Sequence, residues 1–289
     1  VDKKMTVKTL ILKTAGINCD FELAHAFTLA GSETEHVHIN ELVRGEKLLS
    51  DFDILGFPGG FSYGDDLSAG RVLATEVRAH ILDDIHSFYK NGGLIFGVCN
   101  GFQVLVKAKL LPDPEDLLNH TPPKSTLFWN GSGKFEDRWV TLRTEPESKC
   151  IWTKGYPEMI ELPIAHAEGK FLVKNNEMLE KLKARGQIVF RYCDPKNADG
   201  CFNSDVPYPL NPNASTANIA GICDPEGRVL GLMPHPERFH HQTNHPRWTR
   251  RKYEESSIGV GESGGWADGL PLFKNAVDYV KDFKSALTK

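Results

Sequence analysis

Over the first 110 residues the hydrophobic positions alternate between two periods. Val7–Lys13 (VKTLILK) is a short β-like run, Glu35–Ile39 a weaker one, and Asp53–Phe57 and Leu94–Val98 are stronger. Between the first two, Phe21, Ala24, Phe27 and Leu29 sit at helical spacing. They predict a helix over Asp20–Ala30 with Asp20 as its N-cap and Gly31 as its stop. Arg71–Lys90 reads as one long amphipathic helix, ended by Asn91-Gly92-Gly93. Strands and helices in this alternation predict an α/β fold, with a doubly wound, mostly parallel sheet flanked by helices. Ligands in such sheets bind beyond the carboxyl ends of the strands. Pro58-Gly59-Gly60 and Cys99 both stand at such ends.

The second half is β-rich. Leu127–Arg143 and Gln187–Tyr192 are strand-like, with a short helix over Met178–Ala184 between them. Asp194–Asn218 is dense in Pro, Asn and Gly and reads as a structured loop or insertion. Ile219–Cys223 and Val229–Met233 flank Asp224-Pro225-Glu226-Gly227, a hairpin signal. Leu270–Leu287 closes the chain as a helix. Residues 238–269 show no period, and a stretch of that length is expected to be functional or docked. The expectation is a single domain over 1–289, with an extended late loop and closing helix at 238–289.

Composition changes this picture little. The 289 residues are 40% hydrophobic and 25% charged, and 34 basic against 38 acidic side chains give a net charge of −4. Neither nucleic acid nor a membrane is an expected partner. No apolar run approaches the roughly 18 residues of a membrane span, and Leu10-Ile11-Leu12 is too short for the apolar core of a signal sequence. The 6 scattered cysteines read as reduced thiols of a cytoplasmic protein.

The chemistry concentrates on LIFGVCNGFQ, residues 94–103. A strand runs into Gly97-Val98, Cys99 sits on the turn, and a helix opens at Asn100-Gly101. A strand-to-helix turn presents a nucleophile well, the helix dipole favours a thiolate, and the Asn100 N–H is placed to receive an oxyanion. A buried, inert cysteine is the competing reading of these ten residues by themselves. A cysteine nucleophile needs a base and the base an orienter. Met233-Pro234-His235-Pro236-Glu237 supplies both, directly after a β-run and with prolines stiffening the backbone around His235. His235, His240, His241 and His245 do not complete a metal-ligand spacing, so no metal is expected. Asp65 and Asp66 read as turn and cap residues. Arg247–Lys252, a basic run around Trp248, reads as a docking or salt-bridged surface.

These motifs together resemble the class I (triad) glutamine amidotransferases. Within them the chain resembles the glutaminase subunits of phosphoribosylformylglycinamidine synthase. The resemblance rests on GINCD (16–20), FPGGFSYGDDLSAGRVLA (57–74), GVCNGFQ (97–103), PIAHAEGKF (163–171), YPLNPNAS (208–215) and GLMPHPER (231–238). It implies a flavodoxin-like amidotransferase fold. It implies Cys99 as nucleophile, His235 as proton shuttle and Glu237 as orienter. The oxyanion hole would be the N–H groups of Asn100 and Gly60, with Phe61 as the neighbouring candidate, and Gln103 would contact glutamine. It further implies no cofactor on this chain. ATP and Mg²⁺ would belong to a partner, the synthase's large subunit, with or without a small accessory subunit. The alternative enzyme reading is a stand-alone Cys hydrolase or amidase on a related sheet. A scaffold with a dead site is disfavoured by the joint presence of Cys99, His235 and Glu237. Ala167 and Ala214 stand where such proteins often have glycine, which costs stability if either needs a positive φ.

Overall fold

The computed structural model describes residues 6–117, 122–251 and 266–287. In chain order its first half contains β1 (Lys8–Lys13), α1 (Asp20–Leu29), β2 (Glu33–His38), α2 (Ile39–Val43) and β3 (Ile54–Phe57). Then come α3 (Arg71–His80), α4 (Leu82–Lys90), β4 (Leu94–Val98) and α5 (Asn100–Lys107). The second half adds β5 (Ser125–Phe128), β6 (Glu136–Thr144), β7 (Met159–His166), β8 (Lys170–Val173) and α6 (Asn176–Ala184). It ends with β9 (Ile188–Tyr192), α7 (Gly200–Asn203), β10 (Ile219–Cys223), β11 (Val229–Leu232) and α8 (Leu270–Leu287).

One sheet runs β2-β1-β3-β4-β11-β10-β9-β6-β7, and β5 pairs with β8 in a separate ribbon. The strands from β2 to β11 pair in parallel, as the βα alternation predicts. The β-rich second half extends the same sheet antiparallel through the β10–β11 hairpin. The decisive neighbours are β3, β4 and β11. Phe57 pairs with Gly97, and Val98 with Leu232. Gly59-Gly60, Cys99 and His235 therefore leave adjacent strands at the same carboxyl edge.

Behind β4, Phe96 packs against Trp152 (5.3 Å between ring centres) and Phe273 of α8 (5.4 Å), and Phe27 of α1 lies 4.9 Å from Phe273. Such ring pairs contribute about 0.5–1.5 kcal/mol beyond their buried area. They seat the closing helix under the strand that carries Cys99.

Several boundaries differ from expectation. Cys19, not Asp20, caps α1, because its N–H bonds Gly59 O at 3.3 Å while the Asp20 carboxylate is drawn to Lys13 (3.1 Å) and His36 (3.6 Å). The long helix over Arg71–Lys90 is two, broken at Ile81 (φ −130, ψ 18), which lets Ile81 and Ile85 both bury. Ala214 has φ 57 and is strained as anticipated, whereas no such strain falls on Ala167. Residues 239–251 lie on the chain's own sheet: Phe239 and His245 pack on Trp139 of β6, and Glu161 of β7 pairs with Arg247 (3.8 Å) and Arg251 (3.1 Å). Arg247 and Arg251 of the basic run are thus salt-bridged within the chain; Lys252 lies outside the described residues.

Candidate active site

Cys99 adopts φ 52, ψ −107, a region L-residues avoid and which persists only where the surroundings over-determine it. Here they do. The Cys99 N–H bonds Leu232 O at 2.9 Å, and Gly101 brings the first turn of α5 onto the end of β3, where a Cβ would fall 2.0 Å from Phe57 O. The glycine of the elbow thus serves the contact between helix and strand.

His235 is anchored by its own N–H to Pro163 O of β7 (2.8 Å). Its Nδ1 meets Glu237 Oε1 at 2.5 Å, with both side chains essentially inaccessible. Burial pulls the His235 pKa down, but Glu237 and then Cys99 outweigh it and lift it to about 10. Nε2 is buried and makes no hydrogen bond of normal geometry, although the Cys99 thiol is near enough to act on the ring's charge. The thiol itself points toward Ala165 O at 3.6 Å. Gly59 lies against the imidazole: a Cβ there would be 2.9 Å from His235 Cε1 and 3.3 Å from Cys19 Sγ. Gly59→Ala is therefore expected to displace the ring and lower turnover about 10²-fold, the scale for a misplacement of about 1 Å. Circular dichroism checks that the fold survives.

Of the two oxyanion candidates on the glycine turn, Phe61 is already committed, its N–H bonding Gly16 O at 2.9 Å. The N–H groups of Gly60 and Asn100 have no hydrogen-bond partner among the described residues. Gln103 is 3% exposed and engaged at both ends: Nε2 donates to Glu168 O (2.6 Å) and Oε1 accepts from Asn100 Nδ2 (3.0 Å). The geometry makes it a strut between α5 and the loop after β7, and a contact with substrate rests on the resemblance alone.

Three further side-chain contacts surround the site. His166 is fully buried and held neutral, its pKa pushed to about 3 by burial and then by the charge of His235. Asn130 Oδ1 lies 3.1 Å from its Nδ1. Arg238 Nη2 approaches Cys19 Sγ at 3.0 Å, behind Glu237. Lys107 and Glu168 form a largely buried ion pair (3.6 Å) beside Gln103. PIAHAEGKF holds His166 and Glu168, GINCD holds Cys19 and GLMPHPER holds Arg238, but nothing in their local pattern points to these contacts. Among the described residues no group of His, Cys, Asp and Glu side chains is arranged to hold a metal ion, and no helix is long and apolar enough to cross a membrane.

Residues 6–280 match the model of the CobB/CobQ-like glutamine amidotransferase domain. The chain is 49% identical to "Phosphoribosylformylglycinamidine synthase subunit PurQ" of Dehalococcoides mccartyi, over 95% of this chain and 98% of that protein. It is 41% identical to the protein of the same name from Methanococcus maripaludis strain C7, over 96% and 98%. Among solved structures it is similar to a chain of PurLQS from Thermotoga maritima, with a TM-score of 0.67, 29% identity, and coverage of 96% of this chain and 100% of that one. The chain belongs to the class I glutamine amidotransferases, among the PurQ-type subunits of phosphoribosylformylglycinamidine synthase.

Proposed function

We propose that this chain hydrolyses L-glutamine to glutamate and ammonia through a Cys99 thioester. A partner synthetase carrying ATP and Mg²⁺ then uses the ammonia to convert formylglycinamide ribonucleotide to formylglycinamidine ribonucleotide in purine biosynthesis. The observation that carries the reading is the convergence of Cys99, His235 and Glu237 at one carboxyl edge, with a 2.5 Å contact orienting the imidazole.

The Cys99 sulfur attacks the side-chain amide carbon, and the oxygen's negative charge is received by the N–H groups of Gly60 and Asn100. The imidazolium of His235 gives its Nε2 proton to the departing nitrogen, so that ammonia leaves as the C–N bond breaks. The product is a γ-glutamyl thioester. Forming it consumes the charge on sulfur, which is one of the causes raising His235. The neutral imidazole then takes a proton from water, whose oxygen attacks the thioester, and glutamate departs as the sulfur and imidazolium are restored.

Free hydrolysis would waste glutamine, so the site is expected to complete itself only when the synthetase docks. The Gly59-Gly60 peptide is the part that turns at least steric cost. The isolated chain should be a poor glutaminase, stimulated about 10²–10³-fold in the complex, which is the worth of one oxyanion donor. Glutamate release with and without the synthetase tests both points. No turnover in either sample would overturn the function, and full turnover in the isolated chain would overturn the coupling.

A further inference from the structure

The two N–H groups assigned to the oxyanion come from different segments, the loop after β3 and the start of α5, so something has to fix the distance between them. Donors must lie about 2.7–3.1 Å from the developing charge, and Gly60 has no side chain with which to hold its place. We propose that Asn100, through its carboxamide, is a positioning residue that locks the 61–63 stretch, directly after the Gly59-Gly60 peptide, to the nucleophile helix and so sets the spacing of the oxyanion hole once that peptide has turned. This inference rests on the oxyanion pair proposed above.

Asn100 is 1% exposed. Its Oδ1 accepts the N–H of Ser62 at 3.2 Å, two residues beyond Gly60. Its Nδ2 donates to Asp65 Oδ1 at 2.9 Å and to Gln103 Oε1 at 3.0 Å. Two acceptors on one side and an N–H on the other leave the amide a single orientation. On its far side the same segment is held by Phe61 N–H to Gly16 O (2.9 Å) and Tyr63 N–H to Ala15 O (2.8 Å). The stretch directly after the Gly59-Gly60 peptide is thus clasped between a fixed loop and the helix that starts at the nucleophile, which fixes the end about which that peptide turns. The loop also needs a clasp. Tyr63, Asp65 and Leu67 all have positive φ, a conformation that stays put only when other contacts impose it. Asp65 Oδ1, which also receives Gly70 N–H at 3.4 Å, carries that constraint back to Asn100. An apolar residue at position 100 would keep its own backbone N–H. It would leave the Ser62 N–H and the half-buried Asp65 carboxylate each short of a partner.

The test compares Asn100→Ala and Asn100→Asp with wild type, each assayed with the synthetase present. For Asn100→Ala, kcat for glutamine hydrolysis should fall about 10²-fold with KM changed less than about threefold. Alkylation of Cys99 by iodoacetamide, a displacement that develops no oxyanion, should stay within about threefold of wild type. Asn100→Asp is nearly isosteric and keeps the acceptor for Ser62, but sets a second carboxyl against Asp65. Lys107 of α5 and Glu168 of the loop after β7 are the other charged groups of that cluster. One proton shared between the two carboxyls restores the donor, so kcat relative to wild type should rise as the pH falls from 8 to 6. An Asn100→Ala kcat within about threefold of wild type, alkylation that falls in parallel with kcat, or a pH-independent Asn100→Asp ratio would each overturn the clasp. A wild-type complex without glutaminase activity would instead overturn the function on which it rests.

Discussion

Replacing Cys99 by serine is expected to lower glutamine hydrolysis by about 10⁵–10⁶-fold, the scale for loss of a triad nucleophile, while thermal unfolding stays close to wild type. The hydroxyl is the weaker nucleophile because it holds its proton far more tightly than a thiol. The complementary measurement is mass-spectrometric mapping of a glutamine-like diazoketone, which should label Cys99 before the five others. Accessibility separates the six only slightly, since all are buried: Cys99 is 5% exposed, Cys150 4% and Cys19 2%. Chemistry separates them further. Burial pushes the thiol of Cys193 up to about 12 and that of Cys201 up to about 11, and Cys19 is raised by burial and by Glu237. Cys99 alone among the cysteines stands on the elbow between β4 and α5. First labelling at Cys19 would move the nucleophile to the other side of Gly59.

The second large effect concerns the base. His235→Ala should cost about 10²–10⁴-fold in kcat, and Glu237→Gln less, because the amide keeps the shape and loses the charge. The pH dependence separates the two roles. Glu237 raises the His235 pKa, so the imidazolium persists until the pH climbs through about 10. Its contribution to native stability is complete below the free imidazole value of about 6.5 and is lost as pH rises through the folded value. In Glu237→Gln that support is gone and burial remains. The alkaline fall of thioester formation should then begin at lower pH, and the stability difference from wild type should be largest at pH 6 and shrink toward pH 10. Burst kinetics and thermal melts across that range measure both. An unchanged alkaline limb would mean that Glu237 does not set the charge of His235.

The elbow, the His235–Glu237 pair and the βα alternation were legible in the sequence because each is local. A strand, a turn and a helix start within ten residues define the place of Cys99, and a carboxylate two residues from an imidazole reaches it across one turn. The hairpin at 224–227 and the closing helix are equally short-range signals. What brings the two halves of the triad together is not local. It is the parallel pairing of β11 with β4, Leu232 opposite Val98, across more than a hundred residues. Periodicity says that each is a strand and nothing about which strand it adjoins. The same limit explains the single helix expected over 71–90, since only packing against the core shows that Ile81 must turn inward. Tertiary structure also decided between neighbours that the sequence left equivalent. Phe61 N–H is spent on Gly16 O while Gly60 N–H is not, and Gln103 became a strut because Glu168 O lies within its reach. A hydrogen bond depends on where both groups end up, and the chain encodes that only through the whole fold.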